Sequence, residues 1–188
     1  MNMPLAEIVQ QAKSAPCAGK VRLIAVDGGA GSGKSTLAVL LAAELSCPII
    51  QLDDFLSWSD LTSWWPRFES DLLVPLLEGR TGRYQVRDWE GDWEGDSLGS
   101  WREIPVSDTV IIEGVGSSRR AIADRLALKI WVEAPTSLRM ARGLERDKGL
   151  PNAEELWRRW MEMEQGFFEA EGTRATADFT VDGTQPHP

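Results

Sequence analysis

A glycine-rich stretch early in the chain has the spacing of a phosphate-binding loop. Residues 28–35 read GGAGSGKS, which fits the pattern G-x-x-x-x-G-K-[ST]. Glycine tolerates backbone conformations that let successive N–H groups surround a phosphate chain. Lys34 is expected to act in catalysis by pairing with the β- and γ-phosphates, and the Ser35 hydroxyl is expected to bind Mg²⁺. The residues predicted to hold a nucleoside triphosphate are Gly28, Gly29, Ala30, Gly31, Ser32, Gly33, Lys34, Ser35 and Thr36.

Carboxylates follow two apolar runs further along the chain. Asp53 and Asp54 come at the end of Pro48–Leu52, and Glu113 comes directly after Thr109–Ile112. If both runs are strands beside the loop, Asp53 could accept the proton of an attacking hydroxyl, and Asp54 could contact the substrate. Asp53 and Glu113 are also candidate metal ligands. A helix-capping Asp and a structural ion pair are the alternative interpretations.

Three arginines near the end of the chain fall at intervals of three and four residues. Arg139, Arg142 and Arg146 would therefore lie on one face of a helix. Guanidinium groups stabilise the charge on a transferring phosphoryl group through forked hydrogen bonds. We interpret residues 136–150 as a lid that closes over the phosphates. A solvated basic face paired with neighbouring acids is the alternative.

The motifs favour one class of phosphate-binding-loop protein over two others. A regulatory GTPase would carry an N-K-x-D guanine motif, yet neither Asn2 nor Asn152 is followed by lysine. A motor or remodelling ATPase would end an apolar strand in a paired Asp-Glu, whereas Ile111–Ile112 leads to the single acid Glu113. A small-molecule kinase, which moves the γ-phosphoryl group of ATP to a hydroxyl, accounts for more of these residues.

The elements that must position these groups follow from hydrophobic patterning. Apolar runs alternate with segments of helical period, and continuous apolar strands are typical of a parallel sheet that is covered on both faces. The predicted strands are Val21–Val26, Pro48–Leu52, Thr109–Ile112, Ala127–Val132 and Ala177–Val181. At 188 residues the chain fits one domain, residues 1–188.

A tryptophan-rich segment interrupts this alternation between the second and third predicted strands. We interpret residues 57–104 as an insertion, which contains the near-repeat DWEGDWEGD and a helix-like piece at Glu69–Leu77. Its tryptophans are Trp58, Trp64, Trp65, Trp89, Trp93 and Trp101. A surface hairpin packed with aromatic side chains and a cap over the ligand end of the sheet are both open interpretations.

Together these motifs resemble those of the uridine kinase-like family of P-loop kinases, which includes nucleoside and nicotinamide riboside kinases. The resemblance spans most of Val21–Gly183. Its carriers are GGAGSGKST, DDF at Asp53–Phe55, IIEG at Ile111–Gly114, R-x-x-x-RD at Arg142–Asp147 and ADFTVDG near the end of the chain. The resemblance implies a three-layer α/β sandwich, in which helices cover both faces of a five-stranded parallel sheet with the strand order 2-3-1-4-5.

The resemblance also implies roles for the site residues. Asp53 would be the catalytic base, Glu113 would organise Mg²⁺ and the acceptor, and Arg142 and Arg146 would clamp the phosphates. The implied reaction is the ATP- and Mg²⁺-dependent phosphorylation of a small-molecule acceptor, a nucleoside or riboside.

The acceptor side departs from the family pattern. The segment RYQVRDW is similar to the family's acceptor-binding segment, which makes Asp88 and Trp89 candidate acceptor contacts. The chain's one histidine is His187, and Leu56 stands where the family has an aromatic residue after DDF. These departures disfavour uridine itself. Another acceptor class (a nucleotide, pantothenate or a sugar acid) and a non-catalytic nucleotide-binding regulator are the alternatives.

Composition restricts partners and location. The formal net charge of −9 disfavours general binding to nucleic acid or to anionic membranes. Cys17 and Cys47 lack metal-ligand spacing, so we interpret them as reduced thiols of a cytoplasmic protein. No apolar run is long enough for a membrane span, and the first residues lack the pattern of a signal peptide. The sequence does not distinguish a monomer from a homo-oligomer.

Overall fold

The computed structural model describes residues 5–58, 61–89, 91–92 and 96–185. Its strands are β1 (Arg22–Asp27), β2 (Ile49–Gln51), β3 (Gly82–Arg87), β4 (Leu98–Ile104), β5 (Thr109–Glu113), β6 (Leu126–Glu133) and β7 (Phe179–Asp182). Its α-helices are α1 (Leu5–Ser14), α2 (Lys34–Leu45), α3 (Trp65–Phe68), α4 (Val74–Leu77), α5 (Thr136–Arg146) and α6 (Ala153–Glu171). No helix in this described part of the chain is long and apolar enough to cross a membrane.

Five parallel strands form the central sheet in the order β2-β5-β1-β6-β7. Numbered among themselves in chain order, these strands read 2-3-1-4-5, so the expected fold is confirmed. β1 lies between β5 and β6, and its Val26 pairs with Glu113. This register places the end of β5 beside the start of the glycine-rich loop.

Side chains of β1 alternate between two apolar clusters, because successive side chains of a strand point to opposite faces of the sheet. Leu23 packs in a cluster that includes residues of the insertion and Trp160 of α6. Ile24 and Val26 pack in the second cluster, against α1 and α2. Both faces of the sheet are therefore covered, which explains why its strands are continuously apolar.

The insertion contains an antiparallel hairpin of β3 and β4 next to a short helical stretch. The predicted helical piece Glu69–Leu77 is a π-helical turn at Glu69–Leu73 followed by α4. Pro75 lacks the N–H that would bond to the carbonyl four residues earlier, which explains the break in the regular helix. Part of the DWEGDWEGD repeat, including Trp93, lies outside the described residues, as does His187.

Candidate active site

The glycine-rich loop joins β1 to α2, as the motif requires. Gly28, Gly31 and Gly33 have φ angles of +144°, +76° and +101°, a region that disfavours L side chains. Gly28 also approaches β6 closely, because a Cβ atom there would lie 2.3 Å from the carbonyl oxygen of Val132. Helix α2 begins at Lys34, directly after the loop. The backbone thus forms the strand–loop–helix cradle that binds phosphates in this motif.

Lys34, Ser35 and Glu113 meet at the floor of the site. Nζ of Lys34 lies 3.7 Å from Oε1 of Glu113, and the Ser35 hydroxyl donates to the same oxygen at 3.1 Å. Lys34 is 7% exposed and Glu113 is 5% exposed. Burial raises the pKa of the Glu113 carboxyl, and Asp53 acts in the same direction, whereas Lys34 and Ser35 lower it. The alignment of β5 with β1 therefore brings an acid to the loop, where the sequence predicted one.

The same floor has the donor atoms that a magnesium ion prefers. Ser35 and Glu113 offer a hydroxyl and a carboxylate oxygen within hydrogen-bond distance of each other. No group of three or more His, Cys, Asp or Glu side chains suited to a metal occurs among the described residues. Mg²⁺ commonly takes one or two protein oxygens and completes its shell with phosphates and water, so this donor set fits it.

Asp53 and Asp54 face different surroundings, although they are adjacent in the turn after β2. Asp53 is exposed and lines the cleft. Asp54 is buried, and its Oδ2 accepts hydrogen bonds of 2.6 Å from both the Tyr84 hydroxyl and Nη1 of Arg102. Burial raises the pKa of the Asp54 carboxyl. Asp54 borders the cleft but anchors the hairpin, while Asp53 is available to a ligand.

The three arginines of α5 have different partners. Nη1 of Arg142 donates to the carbonyl of Gly31 at 3.1 Å. Arg146 makes two hydrogen bonds with Asp147, of 2.8 and 3.0 Å, which raise the pKa of its guanidinium. Arg142 and Arg146 both line the cleft. Arg139 also bonds to the loop, at the carbonyl of Ala30, but it pairs with Glu164 and is not among the described residues that line the cleft.

A cleft of about 920 Å³ connects these groups. On one side it is lined by the loop and by Gly183–Gln185, the turn that follows β7. On the other side it reaches a cluster of tryptophans. The lining tryptophans are Trp58, Trp89, Trp157 and Trp160. This volume lies within the range of small-molecule and cofactor binding sites.

The insertion contributes Trp89 to the cleft. Its indole N–H donates to the carbonyl of Asp53 at 2.8 Å, and the Arg87 guanidinium lies 3.8 Å above its ring. Trp58 meets Trp89 edge to face. Asp88, the neighbouring candidate, accepts a hydrogen bond from the N–H of Gly91 within the turn and is not among the described residues that line the cleft.

Sequence reasoning missed two buried acids beside the loop. Asp27 is fully buried, and its carboxylate accepts from the N–H groups of Gly28, Gly116 and Ser118 and from the Ser118 hydroxyl. Burial raises the pKa of the Asp27 carboxyl. Glu164 lies on the apolar face of α6, and an acid at helical spacing from Trp157, Trp160 and Met161 was the signal that could have identified it.

Comparison with solved structures identifies the fold. A proposed fructose transport system kinase from Silicibacter sp. TM1040 superposes with a TM-score of 0.69 and 24% identity over 95% of this chain and 99% of the other. A proposed uridine kinase from Bacillus stearothermophilus gives a TM-score of 0.67 and 19% identity over 95% and 97%. Shikimate kinase from Acinetobacter baumannii, solved with shikimate, gives 0.51 and 16% over 90% and 87%.

No protein-family model and no curated protein sequence matches the chain. The structural likenesses show that the chain has the fold of P-loop kinases.

Proposed function

We propose that this protein is an ATP- and Mg²⁺-dependent kinase that phosphorylates a hydroxyl of a small molecule, a nucleoside or riboside. The observation that carries the proposal is the convergence of four kinds of group on one cleft. The glycine-rich loop, the Lys34–Glu113 pair, the exposed Asp53 and two arginines of α5 (Arg142 and Arg146) all line it or form its floor. Structural neighbours described as kinases support the same class of reaction.

The donor half of the site accounts for binding of the triphosphate. Backbone N–H groups of the loop and the N-terminus of α2 bind phosphate oxygens, and Nζ of Lys34 pairs with the β- and γ-phosphates. Arg142 and Arg146 face the same cleft and stabilise the charge that spreads over the transferring group. Bound Mg²⁺, held through Ser35 and Glu113, supplies further neutralisation of phosphate charge.

Asp53 is the proposed base for the hydroxyl group of the acceptor. As the acceptor oxygen bonds to the γ-phosphorus and the bond from that phosphorus to ADP breaks, a carboxylate oxygen of Asp53 accepts the hydroxyl proton. Asp53 is close enough to Glu113 and Arg146 to influence the pKa of each. Its backbone is held by Trp89, which orients the turn at the acceptor side.

The charges around the cleft disfavour an anionic acceptor. Among the described lining residues the cations are Lys34, Arg142 and Arg146, and each already faces a partner: Glu113, a loop carbonyl or Asp147. An anionic acceptor would also approach Asp53. A neutral polyol with a flat or apolar face would instead pack against the tryptophans. This reasoning disfavours a nucleotide, pantothenate or a sugar acid as acceptor.

A panel assay tests the proposal. Purified protein with MgATP is offered nucleosides, ribosides, neutral sugars and vitamins, with a nucleotide, pantothenate and shikimate as anionic contrasts, and ADP release is measured. We expect release to be stimulated by a hydroxylated compound without a negative charge. Nucleotide binding without acceptor-stimulated release would identify a regulator instead. Stimulation by anionic compounds alone would contradict the assigned acceptor class.

A further inference from the structure

Glu164 is a carboxylate buried in the middle of helix α6. It is 1% exposed and shares a helix face with Trp157, Trp160 and Met161. Burying an isolated carboxylate costs several kcal/mol, so such a group is found where charged or hydrogen-bonding partners compensate. The identity of those partners indicates what Glu164 does.

Glu164 and Arg139 form hydrogen bonds with the two backbone polar groups of Ala30, its N–H and its carbonyl. Oε2 of Glu164 accepts a hydrogen bond from the N–H of Ala30 at 2.8 Å. Nη1 of Arg139 donates to the carbonyl of Ala30 at 3.3 Å and also to Oε1 of Glu164. One residue of the glycine-rich loop, one of α5 and one of α6 therefore form a closed ring of hydrogen bonds.

The glycines beside Ala30 permit this close approach. A Cβ atom on Gly29 would lie 1.7 Å from Nη1 of Arg139 and 2.8 Å from Oε1 of Glu164. A Cβ atom on Gly31 would lie 2.6 Å from the carbonyl oxygen of Arg139, which is part of the backbone of α5. The first half of the loop is thus packed directly against the helix that carries Arg142 and Arg146.

We propose that Glu164 is a positioning residue for the nucleotide site and acts through Ala30 and Arg139. By occupying the N–H of Ala30, it leaves phosphate binding to the following loop amides and fixes the peptide that precedes them. By pairing with Arg139, it sets where α5 rests on the loop, and hence where Arg142 and Arg146 enter the cleft. This role rests on one part of the proposed function, namely that the glycine-rich loop binds a nucleotide.

Two substitutions separate the contributions of the carboxylate. Glu164→Gln retains an acceptor oxygen for the Ala30 N–H but loses the charge that pairs with Arg139, whereas Glu164→Ala loses both. Glu162→Gln is the matched control, since it makes the same charge change at an exposed position of the same helix. The readouts are the Kd values of MgADP and MgATP by calorimetry, kcat, the KM of the acceptor, and Tm.

We expect Glu164→Gln to weaken MgATP binding about tenfold, and Glu164→Ala to weaken it further, because charged hydrogen bonds are lost. The acceptor KM should stay within about twofold of wild type, and Glu162→Gln should match wild type in every readout. Combining Glu164→Gln with Arg139→Gln should cost less than the product of the two single effects, since both disrupt one ring.

Several results would overturn the inference. Wild-type nucleotide affinity and kcat in Glu164→Gln would do so, and so would a lower Tm with unchanged nucleotide affinity, which would make Glu164 a purely structural residue. Both results leave the proposed function standing. A wild-type protein that binds neither MgADP nor MgATP would instead overturn the proposed function and the role of Glu164 together.

Discussion

The ammonium of Lys34 and the carboxylate of Glu113 lie 3.7 Å apart at the floor of the cleft, and both side chains are buried. One group follows the glycine-rich loop and the other ends β5. The pair therefore exists only because β1 and β5 are neighbours in the sheet. Burial makes each charge dependent on the other, since an unpaired charge in this environment is costly.

Replacement of Lys34 should disable the donor half of the site. In Lys34→Ala we expect kcat/KM to fall by at least about 10²-fold, because a cation on the transferring phosphoryl group is lost. The substitution also leaves Glu113 without the cation that lowers its pKa. Steady-state kinetics of ADP release measure the effect, with Lys13→Ala at an exposed position of α1 as control. An unchanged kcat/KM would refute the role of Lys34.

Asp53→Asn should lower the rate of phosphoryl transfer without changing nucleotide affinity. The carboxamide preserves the shape of the side chain but cannot accept the acceptor's proton, so kcat should fall by about 10²-fold or more. Nucleotide Kd should stay near the wild-type value, because the proposed role of Asp53 concerns the acceptor and not the nucleotide. Asp108→Asn, at an exposed position, is the control. Near-normal turnover in Asp53→Asn would exclude Asp53 as the base.

Two tryptophans of the insertion allow a controlled test of the proposed acceptor site. Trp89 and Trp101 each lie beneath an arginine, at 3.8 Å from Arg87 and 4.4 Å from Arg83, but only Trp89 lines the cleft. Trp89→Ala should raise the acceptor KM about tenfold through lost ring contact and a loosened Asp53 turn. Trp101→Ala, at a side chain that is 56% exposed, should leave it unchanged. An equal change of the acceptor KM in Trp89→Ala and Trp101→Ala would show that the acceptor does not bind at Trp89.

Asp27→Asn should destabilise the protein more than a surface Asp→Asn change. The Asp27 carboxylate accepts four hydrogen bonds in the structure, whereas a carboxamide has a single acceptor oxygen and adds two donors. Unpaired buried donors should lower the free energy of unfolding by about 2–4 kcal/mol at neutral pH. Urea unfolding of Asp27→Asn beside Asp108→Asn measures this difference. Equal midpoints and slopes for the two variants would contradict it.

Local patterns in the sequence were sufficient to predict the parallel α/β sheet and the phosphate-binding loop, and to propose residues of the candidate site. The loop motif depends on neighbouring residues, and continuous apolar runs indicate buried parallel strands. The strand order 2-3-1-4-5 was implied by the family resemblance alone, and the structure confirms it. Asp53 and Glu113 could be proposed because residues that end parallel strands meet at one edge of a sheet. Their assigned chemistry remains a prediction.

Distant contacts could not be read from these patterns. The chain alone predicts Arg139, Arg142 and Arg146 on one helix face, yet packing directs Arg139 to the loop and to Glu164. It places Asp53 and Asp54 side by side, whereas Tyr84 and Arg102 bind Asp54 alone.

The sequence by itself thus determined the fold class, the phosphate-binding loop and the candidate acids, because each depends on short-range spacing. The tertiary structure decided which of these side chains reach the cleft and which hold other elements in place. The physical reason is that a buried polar group must find its partner wherever the packed chain supplies one, at any separation in sequence.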